Sequence, residues 1–154
     1  GTVALGTVTL GIVAWLVRFD VARRTLRLTG LPRYVAVNLT FGTAWLAVAG
    51  FVWLLWGPIE GGAGYDVVVH SVGVGFALSM VLAHAPIILP AVIRRPLPYH
   101  RVLYAATVGL QLALVVRVVG DVRAVTPLWQ IGGAAGVAVI LAFAVMTVTL
   151  VVRR

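Results

Sequence analysis

The chain is predicted to be an all-α integral membrane protein, a bundle of about five transmembrane helices. Two observations carry that prediction. Of its 154 residues, 62% are apolar and only 10% charged, with a mean hydropathy of +1.09, far outside the range of soluble domains. Five apolar runs are also long enough, or nearly so, to cross a hydrocarbon core that takes roughly 20 helical residues. A lipid core leaves helices or closed barrels, and these runs far exceed the roughly ten residues of a barrel strand. The whole chain, 1–154, reads as a single transmembrane bundle, either a fragment or one subunit of a larger assembly.

The first run, Thr2–Val17, is short and begins at Gly1 without a Met. Helices upstream are expected, or else a cleaved signal peptide. The second is Tyr34–Trp56, the third Val67–Ile93, the fourth Val102–Val122 and the fifth Leu128–Val152. Gly42, Gly73, Gly109, Gly132, Gly133 and Gly136 permit close helix approach. Trp53, Trp56 and Trp129 read as interfacial anchors, whereas Trp45 lies deeper than an aromatic belt requires.

Basic residues orient the bundle. All twelve are arginines. Arg18, Arg23, Arg24, Arg27 and Arg33 fill the first loop, Arg94, Arg95 and Arg101 the third, and Arg153 and Arg154 the tail. Those ends are expected in the cytoplasm, giving an N-out, C-in, multi-pass protein of the inner (plasma) membrane. The pI near 11.5 is thereby a topology signal, and nucleic acid is not an expected partner. The expected partners are the lipid bilayer and another membrane subunit or set of helices.

Cysteine is absent, which excludes disulfides, covalent haem attachment, thiolate zinc sites and iron–sulfur clusters. A P-loop, a Gly-x-Ser-x-Gly elbow and a His-Glu-x-x-His motif are absent too. The four acidic residues read as mostly loop-borne, so neither a carboxylate pair nor a proton relay is expected.

What remains is imidazole chemistry. His70 and His84 are the only ionisable side chains between Asp66 and Arg94. Such residues at membrane depth are costly and mark function. Fourteen residues advance a helix by about 21 Å and return it to within roughly 40° of its starting face, so the two should share a face at two depths. Neutral imidazole suits haem iron, copper and zinc. Arg117 and Asp121, at a depth comparable with His70, complete an outer polar cluster, in which Arg117 pairs with Asp121 or binds an anionic group such as a haem propionate. Gly73 and Gly75 would let a flat macrocycle approach, or serve helix packing. Pro86 and Pro90 should kink the helix beyond His84. Met80 is rotated away from His70, and His100 reads as a solvated loop histidine.

From His70 to Arg154 the chain resembles the C-terminal part of the NnrS family, membrane proteins linked to nitric-oxide metabolism and described as binding haem and copper. A histidine opens a helix, Gly75 and Met80 follow, and Arg95-Pro96-Leu97 closes it. An apolar helix with Arg117 near its outer end comes next, and Trp129 precedes the last span. The resemblance implies a metal or haem site on His70. Two departures stand out: Ala91–Val92–Ile93 replaces the family's second histidine, and His84 occupies a position that is ordinarily apolar. Family members also have about twice as many helices.

Three classes follow. The first is a protein binding haem b and/or copper through His70 and His84, with Arg117 as an anion clamp, in nitric-oxide metabolism or electron transfer. The second is a noncatalytic transmembrane subunit of a respiratory or oxidase complex. The third is a transporter, to which Pro86 and Pro90 point loosely.

Overall fold

A computed structural model describes residues 1–19, 22–57, 59–94 and 99–152. The described chain is almost wholly helical. Its elements are α1 (Thr2–Phe19), α2 (Ala22–Thr25), α3 (Leu31–Trp56), α4 (Gly62–His70), a π-helical stretch (Ser71–Leu78), α5 (Ser79–Ile93), α6 (Leu103–Val122) and α7 (Thr126–Val152). α4, the π stretch and α5 run on as one rod, so five helices among the described residues are long and apolar enough to span a membrane.

The boundaries follow local chemistry. Pro32 sits in the first turn of α3, where a missing N–H costs nothing, and Gly57 stops that helix with φ 72°. Arg94 ends α5 in the left-handed region at φ 52°. Arg95-Pro96-Leu97 and Pro98, the expected turn after it, lie outside the described residues, as do Arg153 and Arg154. Between α6 and α7 the turn is tight: Ala124 has φ 53°, and Val125 N donates to Gly120 O at 2.9 Å. The third rod begins at Gly62 rather than Val67, which moves Asp66 from a loop into a helix.

Consecutive helices pack side by side: α1 on α3, α3 on the α4–α5 rod, that rod on α6, and α6 on α7. The centre is the trio α3, α4–α5 and α6, and a seam of polar side chains runs through it. Asn38, Ser71, Ser79 and Thr107 are fully buried, and Gln111 nearly so. Thr107 Oγ1 donates to Asn38 Oδ1 (3.1 Å), Gln111 Nε2 to Ser79 Oγ (3.1 Å), and Trp45 Nε1 to Gln111 Oε1 (2.6 Å). Where hydrocarbon gives no drive to associate, such bonds and close backbone packing hold helices together. The depth of Trp45 therefore has a cause: its indole N–H has a partner on α6, and its ring packs on Gly75.

The π stretch changes the geometry expected of the third rod. Its i→i+5 bonding adds one residue to each hydrogen-bonded ring and turns the chain less per residue than an α-helix does, so the helix loses phase between His70 and Ser79. His70 is part-buried and His84 exposed. Pro86 and Pro90 lie inside a helix that continues to Ile93.

Candidate functional site

The site lies at the end of the bundle where α4 starts and α6 turns into α7. Glycines build it. A Cβ on Gly120 would strike the backbone of Trp129, and one on Gly132 the backbone of Arg117, so α6 and α7 approach to backbone contact there. That closeness delivers Arg117 into the space between α4 and α7.

Arg117 does not pair with Asp121, its neighbour one turn on. Its Nη2 donates to both carboxylate oxygens of Asp66 on α4, at 3.0 Å to Oδ1 and 2.9 Å to Oδ2. Its guanidinium carbon sits 4.9 Å from the centre of the Trp129 ring, a cation–π contact that gives this tryptophan a role beyond anchoring. Arg117 Nε is buried without a partner, and so is Asp121 Oδ2. Asp121 lines the same open vestibule as Asp66. The absence of a carboxylate pair, expected because Asp66 read as loop-borne, is thus corrected: once Gly62 starts the helix, Asp66 and Asp121 meet across α4 and α6.

His70, one turn beyond Asp66, places its Nδ1 2.9 Å from Asp66 O and 3.3 Å from Asp66 Oδ1. Both are acceptors, so Nδ1 carries a proton, and Nε2 is the nitrogen left to act as a ligand. His84 repeats the pattern with Nδ1 2.7 Å from Met80 O. His100 has the opposite tautomer preference, since Val102 N donates to its Nδ1 at 3.1 Å.

Two cavities flank the Arg117–Asp66 pair. On one side His70, Leu114, Arg117, Gly132, Gly133 and Gly136 line a pocket of about 110 Å³. On the other, an open vestibule of about 410 Å³ reaches Asp66, Asp121, Thr126 and Trp129. His84 joins neither. Among the described residues no three His, Asp or Glu side chains gather closely enough to hold a metal unaided. The positions that sequence reasoning missed are Asp66 as the partner of Arg117, and the polar residues Asn38, Ser79, Thr107 and Gln111. A lone amide in a long apolar run was the available signal for Asn38 and Gln111.

A family model described as "Domain of unknown function (DUF8744)" matches residues 1–152, and the chain belongs to that family. No curated protein and no solved structure matches it.

Proposed function

We propose that the protein is a multi-pass inner-membrane unit, N-out and C-in, that binds copper and/or haem b through His70 and His84, in nitric-oxide metabolism or electron transfer. One observation supports this above the rest. Both histidines at span depth donate Nδ1–H to a carbonyl of the preceding turn, leaving Nε2 available as a ligand. Ligating histidines are held in this way by carbonyls and carboxylates, which fix the tautomer and raise the basicity of the ligand nitrogen.

The residues differ in what they fit. The His70 pocket, at about 110 Å³, is below the roughly 300 Å³ of small-molecule sites, so it suits an ion with a small ligand rather than a macrocycle. A copper ion there would take His70 as one ligand and the rest from an accompanying anion or another subunit, with the unpartnered Arg117 Nε as donor to the anion, since the pocket lining offers a single imidazole. His84 is exposed, so a haem on that ring takes its remaining contacts from another membrane subunit or set of helices. Bound there, either metal would supply one-electron chemistry. The protein's own part is to hold each imidazole by its Nδ1 and to set the Arg117 guanidinium beside the His70 pocket.

A visible spectrum and metal analysis of the protein purified from membranes test the proposal. A Soret band, or near-stoichiometric copper, that is lost in His70→Ala supports it. A colourless, metal-free protein after haem and copper supplementation sinks it. The second reading, a noncatalytic subunit of a respiratory or oxidase complex, draws support from the mutual pairing of Asp66, His70 and Arg117, which gives each of them an ionic partner without any ligand.

A further inference from the structure

α1 and α3 touch most closely where Gly6 faces Gly50. A Cβ on Gly6 would lie 2.8 Å from Gly50 O, and one on Gly50 would lie 3.0 Å from the Leu10 side chain. Toward α2 the same helices leave a cavity of about 370 Å³, walled by Val13, Leu16 and Val17 on one side and Thr43, Ala44 and Ala47 on the other. The threonines at this wall make no polar demand on an occupant, because Thr40 and Thr43 donate to Ala36 O and Leu39 O, one turn back, at 2.8 and 2.9 Å. The walls are therefore effectively hydrocarbon.

Arg23 of α2 also lines this groove. It is exposed, and the one hydrogen bond it makes among the described residues is a long one, Nη1 to Val17 O at 3.4 Å. A guanidinium carries five N–H donors, so most of its capacity is open. Residues 18–33 bring five arginines against one aspartate, Asp20, which lies outside the described residues. An apolar trough with a cation in its lining matches one class of molecule: a lipid with a hydrocarbon tail and an anionic head.

We propose that the groove between α1 and α3 binds one acyl chain of an anionic phospholipid, with Arg23 receiving the headgroup phosphate. The proposal rests on the membrane placement of the five helices but not on any metal or haem. Arg is suited to the task because its planar fork meets phosphate oxygens in pairs, and each basic residue near an anionic lipid surface is worth about 1 kcal/mol, or fivefold in affinity.

The test is native mass spectrometry of the full chain, equilibrated in detergent with equal amounts of phosphatidylglycerol and phosphatidylcholine. One retained phosphatidylglycerol, favoured about fivefold or more, is expected. Arg23→Gln should abolish most of that preference, and Ala44→Phe, which fills the trough, should eject lipid of both kinds while helical circular dichroism is unchanged. Equal retention of the two lipids by the unsubstituted chain overturns the proposal, as does undiminished preference in Arg23→Gln, a surface change that leaves the helix contacts intact. Carbonate extraction separates the two levels: release of the chain into the soluble fraction overturns the membrane placement itself, whereas a membrane-retained chain without lipid preference overturns only the groove.

Discussion

At the level of single residues, the contrast among three histidines is decided by what each Nδ1 meets. His70 and His84 face carbonyl oxygens and so keep Nε2 as the acceptor, while His100 Nδ1 accepts from a backbone N–H. His70→Ala should therefore remove bound copper and His100→Ala should not; comparable copper in both variants would sink the assignment. Asp66→Asn removes the negative charge beside His70, though not the backbone carbonyl that its Nδ1 meets, and should weaken metal binding by about 10-fold, the lower end of what ligand-supporting groups contribute. Arg117→Leu strips the counter-charge from Asp66 and should lower stability by about 2 kcal/mol, as expected for a hydrogen bond to a charged group. Arg117→Lys should restore part of that, since an ammonium reaches the carboxylate but does not stack on Trp129 as a guanidinium does. Thermal unfolding in detergent reads the difference, and a Leu variant as stable as the parent would mark the pair as ornamental. His70 and Arg117 were legible in the sequence because ionisable groups are conspicuous in apolar runs. The Asp66–Arg117 pair was not, because it joins residues 51 apart and depends on how each helix is turned about its own axis.

At the level of elements, the spans were legible from length and hydropathy, with boundaries displaced by a few residues. The π stretch was not, since nothing in SVGVGFAL announces i→i+5 bonding; its two glycines read equally well as packing sites. Gly75 is one, for its missing side chain is where the Trp45 ring lies. Gly75→Val should consequently split α3 from the third rod and prevent stable folding. Trp45→Phe keeps the ring but deletes the bond to Gln111, and should cost about 0.6 kcal/mol, the average for a hydrogen bond between membrane helices. Unfolding of both variants in mixed micelles tests this ordering; a Trp45→Phe protein as damaged as Gly75→Val would move the weight of the contact from the ring to the N–H.

For the molecule as a whole, the orientation proposed above rests on arginine distribution. Ten of the twelve arginines fall in the first loop, the third loop and the tail, and two, Arg117 and Arg123, toward the opposite ends of the helices. Of those two, Arg117 is neutralised by Asp66, which leaves Arg123 against Asp121 and Glu60 on that side. Short loops rich in Arg stay in the cytoplasm because their translocation is opposed, and here both kinds of loop are short enough for the rule to apply. The chain contains no cysteine, so a single introduced thiol reports its own side without background. In Arg101→Cys and Glu60→Cys proteins, a membrane-impermeant maleimide applied to intact cells should label position 60 and leave position 101 untouched until the membrane is opened. The reverse pattern would invert the bundle. It would also turn the vestibule at Asp66 and Asp121 toward the cytoplasm and place Arg23, with the groove it lines, at the outer leaflet.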